Sequence, residues 1–354
     1  MAGLAAAARL RELGVEPRVL EKGTRPGGSM LLSSCVVWRY REWETFRSEC
    51  PGGDPALQRA VWERLDDAIG WLESLGAPVV WHETGNPETA GKRFDPRGLT
   101  DALVRAAGGE VTCACMSMFM GPGPTCTILA TGGFQGDASL VADHIRPARP
   151  LRLRANAWSV GDGLRHALAR GGALSAGMDE FYGRNMPDAD FTESDFVPQA
   201  QLYGRYARVF NEHGEEFFTG EVSWSENDLV QATARQPKAR AWYVLDDEAL
   251  AQPVRDRTVA EMAAAAPTRL DPSDLPFPPP PNARVAVRVS PGITHTIGGV
   301  RIDDRARVAD SAGRPVDGLF AAGADAGGIS TGGYASGLAA ALVFGRIAAE
   351  SAAA

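Results

Sequence analysis

Met1–Ser29, MAGLAAAARLRELGVEPRVLEKGTRPGGS, is the stretch whose reading decides the fold. Its alanine-rich run predicts a helix, Gly14 stops it, and Pro17–Leu20 predicts a short strand ending on the acidic Glu21. That order is the second half of a βαβ dinucleotide-binding unit, in which G-x-G-x-x-G joins a first strand to the helix. Met1 and Ala2 lead straight into the helix, so Gly3 takes the place of the third glycine, the one that lets helix and strand pack closely. Glu21 follows 18 residues after Gly3, near the roughly 20-residue spacing at which a carboxylate grips a ribose 2′-hydroxyl. The first strand and the two phosphate-turn glycines have no counterpart in these residues. An ordinary amphipathic helix followed by a strand fits the same pattern, so the rest of the chain has to decide.

The loop after Glu21 runs from Lys22 to Met30 and holds Gly27, Gly28 and Ser29. Small residues let backbone N–H groups approach a diphosphate or a flavin edge, although a plain surface turn has the same composition. Residues 54–75 predict a helix, with Asp54-Pro55 at its start and Gly76 at its stop; Pro78–His82 predicts a strand; Asp95-Pro96 opens a second helix over 94–109. Residues 110–127 read as a strand followed by a Gly/Pro turn. Ile128–Phe134 (ILATGGF) is a buried strand leaving through Thr131, Gly132 and Gly133, and strand-end glycines in α/β folds mark the crevice where ligands bind.

From about 148 the chain becomes polar and aromatic. Gly161-Asp162-Gly163 stands at a helix entrance, with Asp162 either a cap or a ligand contact. Residues 208–218 read as a hairpin turning at His213-Gly214, and the proline-dense 271–281 as a stiff connector and candidate domain boundary. The last seventy residues return to the first texture. Residues 285–303 are β-rich, a strand ends at Gly323 and Asp325, and a glycine loop (326–337) opens the final helix. Strand, glycine loop and helix N-terminus together make an anion or oxyanion site. Similar texture at both chain ends predicts one nucleotide domain interrupted by an inserted middle domain.

Composition bounds the class. The chain has 354 residues, 44% hydrophobic and 23% charged, which suits a globular protein with real cores in one large or two ordinary domains. A net charge of −8 without a Lys/Arg run argues against nucleic acid as a partner. No apolar run approaches the roughly 20 residues that cross a bilayer, and no signal-peptide pattern is present, so the expected location is the cytoplasm. Cys113 and Cys115 are too close for a C-x₂₋₄-C pair and have no histidine nearby, so the five cysteines read as reduced structural thiols and no metal is expected.

Taken in order, MAGLAAAARLRELG…VLEKG…PGGS, ILATGGF, GDGL, RVFNEHGEEFF, ITHTIGGVRID and GLFAAGAD…GGYASGLAAALVFGRIAAE resemble the flavoproteins of the fumarate reductase/succinate dehydrogenase superfamily, with the 3-ketosteroid dehydrogenase-like branch nearest. The likeness spans most of the chain. It implies an α/β fold: a Rossmann-like FAD-binding domain built from both chain ends (1–147 and 285–354) with an inserted α+β cap or substrate domain (148–284). It implies FAD as cofactor, a small-molecule substrate, an electron donor or acceptor of unknown kind, and hydride transfer between flavin N5 and a substrate carbon. By motif position, Gly3, Glu21, Lys22, Gly27, Gly28, Ser29, Thr131, Gly132, Asp162, Gly323 and Asp325 are the expected FAD contacts. Ser336, Gly337 and Leu338 are expected to face the flavin pyrimidine edge, where the helix dipole favours an anionic reduced ring.

Three departures from the pattern matter. The opening strand and first two fingerprint glycines are absent, which a start placed too late explains more simply than an unusual fold. Residues 110–127 are shorter than the β-meander of many relatives. The loop GGYASG holds no arginine where fumarate reductases place a proton-donating one, which disfavours dicarboxylate reduction. Tyr334 stands there instead, in the place where ketosteroid dehydrogenases use a tyrosine with a glycine N–H to polarise a carbonyl; a packing residue at a helix start is the alternative. His295, in the ITHTIGG strand, either lines the active site or bonds to backbone. Tyr182, Tyr203 and Tyr206 are further acid–base candidates or structural residues. The expected function is FAD-dependent α,β-dehydrogenation, or the reverse, next to the carbonyl of a hydrophobic and steroid-like substrate. The rivals are a reductase of a small unsaturated acid, which needs a cap arginine such as Arg205 or Arg208, and a non-catalytic scaffold that has lost FAD.

Overall fold

The computed structural model describes residues 1–115, 126–147 and 151–354. The turn expected within 110–127 therefore lies largely outside the described residues. The chain divides into two compact units, one of Met1–Ile145, Ala155–Phe181 and His295–Ala354, the other of Arg146–Arg154 and Tyr182–Thr294.

In the first unit the opening helix, Ala2–Glu12, buries Ala5, Ala6, Ala7 and Ala8, and the closing helix, Gly337–Ala353, buries Leu342, Val343, Phe344 and Ile347. The two pack backbone to backbone. A Cβ added at Gly345 would lie 2.6 Å from the carbonyl oxygen of Ala2, which explains the small residues on both helices. Gly345→Val is therefore expected to destabilise the protein by about 1–3 kcal/mol, read as a lower urea midpoint at unchanged slope.

Two further helices start as their sequence signals predict. Asp54 accepts from the backbone N–H groups of Ala56 and Leu57 ahead of Pro55–Ser74, and Asp95 accepts from Gly98 N–H ahead of Pro96–Ala106. The strand Thr127–Leu129 runs parallel to Pro315–Ala321, pairing Leu129 with Ala321, and Pro315–Ala321 pairs antiparallel with Arg307–Ala309. A separate sheet orders Val36–Tyr40, Thr89–Phe94 and Val79–Trp81. The strand expected at Pro17–Leu20 is reduced to one parallel bridge, Leu20 to Thr112, since Pro17 has no N–H to extend the ladder.

The second unit is built on Val285–Thr296. This strand pairs with Ala241–Leu245, which pairs with Arg208–Phe210 and, through it, Glu216–Phe218. Alternation along 285–289 sends Val285, Val287 and Val289 to one core with Tyr203, Leu229 and Tyr243, and Ala286 to another with Phe210, Trp242 and Leu275. The expected hairpin forms: Asn211 Oδ1 accepts from His213 N–H (2.9 Å) and Glu215 N–H (3.1 Å), which makes the turn.

The proline-dense 271–281 is not a boundary. It lies within the second unit, where Leu275 and Phe277 pack on the Phe210–Trp242 core. Residues 155–181 fall in the first unit and 285–294 in the second, so the units divide at other places than 148 and 285. The reason is physical: the helix Asp162–Ala169 bonds to Lys22 and Thr131 of the first unit, while 285–289 form the centre of the second unit's sheet. Among the described residues no helix is long and apolar enough to cross a membrane.

Candidate cofactor and active site

The first unit converges on Asp325. Parallel pairing brings the ends of Thr127–Leu129 and Pro315–Ala321 together, so the turns that follow, Thr131–Gly133 and Gly323–Asp325, meet. Asp325 is 1% exposed. Its carboxylate accepts hydrogen bonds from Thr131 N–H, Thr131 Oγ1 (3.0 Å) and Gly133 N–H (3.1 Å). Thr131 Oγ1 in turn accepts from Gly163 N–H at 3.0 Å. Burial pushes the Asp325 carboxyl above its ordinary value, and the hydrogen bonds from Thr131 and Gly133 pull it back. Thr131 and Asp325 thus serve as the knot that ties three loops, with their side chains turned to protein.

The other expected contacts lie in the same unit. Gly3 lies against Ala130, where an added Cβ would come within 3.3 Å of that side chain, and Gly323 faces Ala2. Gly132 has φ +94°, and a Cβ there would meet Ser159 Oγ at 2.7 Å, so both backbone conformation and space require glycine. Glu21 Oε1 accepts from Gly23 N–H at 2.7 Å. Lys22 Nζ pairs with Asp162 Oδ2 at 2.7 Å. Gly161, in the left-handed region, is the cap of the helix that follows, and Asp162 is its first-turn residue, so the cap reading of Asp162 does not hold. Ser29 Oγ accepts from Asn156 N–H at 3.1 Å, and Gly27 and Gly28 both have positive φ. The opening helix has no side-chain cap and no acidic first-turn residue. Its first N–H groups are therefore of the kind that receives an anion such as a diphosphate. Glycine-lined turns, a helix N-terminus and a carboxylate-bearing turn in one cluster are what a dinucleotide requires, and the residues present fit FAD.

A second group stands at the start of the closing helix. Ser336 caps it, accepting from Ala339 N–H at 3.3 Å, and Gly337 N–H donates to the Tyr334 hydroxyl at 3.4 Å. His295 lies directly on Gly337, where an added Cβ would come within 2.9 Å of its Nε2. The rings of His295 and Tyr334 are 5.8 Å apart, and those of Trp38 and Tyr334 6.0 Å. Leu338 is partly exposed beside them. His295 Nδ1 is 2.9 Å from the carbonyl oxygen of Thr296. That oxygen can only accept, so Nδ1 carries the proton and Nε2 a lone pair.

Burial lowers the His295 pKa, and the bond to Thr296 only partly opposes it. The folded protein therefore binds fewer protons here than the unfolded chain, and stability from this group falls as pH drops below about 6.5. His295→Gln is expected to flatten that acid-side decline, read from urea midpoints between about pH 5 and 7.

Of the middle-segment candidates, Tyr203 is buried, donates to Gln201 Oε1 and packs edge-on to Tyr243, with burial raising its pKa. It is a core residue and not an exposed acid or base. Tyr182 stacks under the Arg184 guanidinium, and Tyr206 packs on the Tyr203 core. Arg208 is paired with Glu216 at 2.5 Å, and Arg205 faces Glu226 at 3.9 Å and donates to Ser223 O at 3.2 Å. Sequence reading missed two features of this unit. Asp188 is approached by Arg240 (2.8 Å), Arg288 (3.0 Å) and Arg152 (3.2 Å). Glu226 is buried with a left-handed backbone, and burial raises its carboxyl to about 7.

The family described as "FAD binding domain" matches residues 123–338, and one described as "NAD(P)-binding Rossmann-like domain" matches residues 1–34. A probable fumarate reductase, Ifc3, of Shewanella frigidimarina is 25% identical over 85% of this chain, and the chain spans 61% of that relative's length. Among solved structures, the open conformation of a flavocytochrome c3 fumarate reductase aligns with TM-score 0.74 and 21% identity, over 99% of this chain and 76% of that one. The 3-ketosteroid-delta4-(5alpha)-dehydrogenase of Rhodococcus jostii RHA1, in complex with 4-androstene-3,17-dione, aligns with TM-score 0.71 and 19% identity over 100% and 95%.

Proposed function

The chain belongs to the family of FAD-binding domains, and from that premise we propose that it is an oxidoreductase acting on the carbon–carbon bond next to a carbonyl in a hydrophobic substrate. In the forward sense the α-carbon loses a proton and the β-carbon a hydride, and the electron pair left on the α-carbon becomes the double bond; ene-reduction is the reverse. FAD, when bound, supplies the two-electron hydride chemistry. The cluster of Gly3, Glu21, Lys22, Gly27, Gly28, Ser29, Gly132, Asp162 and Gly323, tied by Thr131 and Asp325, holds its nucleotide part. Ser336, Gly337 and Leu338 support its ring. On this reading the unit of Met1–Ile145, Ala155–Phe181 and His295–Ala354 is the cofactor domain, and the unit of Arg146–Arg154 and Tyr182–Thr294 the substrate domain.

One observation carries this reading: the Tyr334 hydroxyl and the Gly337 N–H meet at the start of the closing helix. The hydroxyl accepts from that N–H and has its own proton to donate. A substrate carbonyl oxygen that receives a hydrogen bond from the Tyr334 hydroxyl gains stabilisation as it becomes an enolate, which lowers the barrier to loss of the α-proton. His295, neutral at pH 7 because of its burial, adds no charge of its own and keeps an unprotonated Nε2. The loop from 322 to 337 contains neither arginine nor lysine, which favours a neutral carbonyl over a carboxylate. The steroid dione held in the Rhodococcus neighbour is a neutral ketone of that kind.

The names of the curated relatives favour a second reading, reduction of a small unsaturated acid. Against it, Arg205 and Arg208 are already engaged by Glu226 and Glu216. Steady-state assays of the FAD-supplemented protein with artificial electron donors and acceptors test both. Turnover of 3-ketosteroids or cyclic enones but not of succinate or fumarate is expected. Turnover of the dicarboxylates alone would establish the second reading, and no turnover of either class with FAD bound would favour a scaffold.

A further inference from the structure

The Tyr334 loop is held from outside itself. Its backbone is latched by Asp54 N–H to Gly328 O (2.8 Å), Gly52 N–H to Thr331 O (3.0 Å) and Gly332 N–H to Glu180 Oε2 (2.7 Å). Gln58, fully buried, donates from Nε2 to both Ile329 O and Cys50 O at 2.9 Å. These bonds fix the approach to Tyr334. A further bond reaches Tyr334 itself: the Tyr40 hydroxyl donates to its carbonyl oxygen at 3.1 Å. Tyr40 is 5% exposed, and its ring meets Trp38 edge-on at 5.2 Å; Trp38 in turn touches the Tyr334 ring. Nothing in the reaction proposed above uses Tyr40.

We propose that Tyr40 is a positioning residue, whose hydroxyl fixes the Tyr334 peptide and so the direction in which Tyr334 presents its own hydroxyl beside the Gly337 N–H. The geometry supports a specific role over general packing. The strand Val36–Tyr40 contributes two aromatic side chains to Tyr334, Trp38 against the ring and Tyr40 on the backbone, so ring and main chain are held from one rigid element. Burial keeps the Tyr40 hydroxyl protonated, hence a donor, throughout the working range. Catalytic donors lose effect steeply when displaced, since a misplacement of about 1 Å can cost about a hundredfold in rate.

The inference rests on the reading that Tyr334 polarises a substrate carbonyl, and the test separates the two. Tyr40→Phe, Tyr334→Phe and the double variant are compared as FAD-loaded full chains with a cyclic ketone substrate. The ring carbon bearing the Tyr334 hydroxyl is followed by ¹³C NMR in tyrosine-labelled protein. Tyr40→Phe keeps the buried ring, so unchanged melting and flavin content are expected. The predicted result is a fall in kcat of about tenfold with KM within about twofold, a broadened or doubled Tyr334 resonance, and no further loss when Tyr40→Phe is added to Tyr334→Phe. Wild-type kcat with an unmoved Tyr334 resonance in Tyr40→Phe, or losses that multiply in the double variant, would overturn the proposal. Full activity in Tyr334→Phe would instead overturn the role of Tyr334, while the resonance still reports whether Tyr40 holds it.

Discussion

Asp325→Ala is expected to abolish FAD retention and to lower stability by about 2–4 kcal/mol. The carboxylate accepts from two backbone N–H groups, Thr131 and Gly133, and from the Thr131 hydroxyl, all inside the protein. Its removal leaves buried donors without an acceptor, each at a penalty of about 1–3 kcal/mol, partly offset because a buried charge has also gone. The consequence for FAD follows from the same bonds. Thr131 also anchors Gly163 and the helix that carries Asp162, so release of the knot loosens three loops of the candidate nucleotide cluster at once. Equilibrium urea unfolding gives the stability change, and flavin absorbance retained through desalting gives the binding. A variant with wild-type flavin content would show that the knot does not organise the cofactor site.

Tyr334→Phe is expected to act in the opposite manner, lowering kcat per bound flavin by about a hundredfold and leaving FAD content and melting temperature in place. The substitution removes one hydroxyl from a half-exposed position and keeps the ring contacts with Trp38 and His295. The loss falls on kcat because the hydroxyl matters most when the carbonyl oxygen gains negative charge. An effect confined to KM would mean that Tyr334 only binds substrate. Paired with Asp325→Ala, the result separates residues that build the site from residues that work in it.

Local signals were the legible part of this fold. Asp54-Pro55 and Asp95-Pro96 begin helices where their side chains cap them, and the Asn211–Gly214 turn closes the expected hairpin. The ordered motifs also led to the FAD-binding family, which the match over 123–338 bears out. What sequence could not disclose was how side chains are used across long separations. Asp325 and Thr131 each stand in a legible motif, but their mutual bond spans 194 positions, and only the parallel pairing of two strands brings them together. Tyr40 and Tyr334 are 294 positions apart and share no motif. From sequence Tyr203 is either an acid–base candidate or a structural residue, and the strand carrying Tyr243 decides for the second by burying it. The 271–281 stretch reads as a linker because of its prolines, while Leu275 and Phe277 decide its place by packing on a core.

Whether this chain oxidises a ketone through bound FAD is read from the anaerobic visible spectrum of the FAD-supplemented, desalted protein before and after a saturated 3-ketosteroid is added. The protein is expected to keep the two-banded absorption of oxidised flavin, and the ketone to bleach it while succinate does not. A protein that keeps no flavin, or whose flavin is bleached by succinate and not by the ketone, would contradict the proposed function.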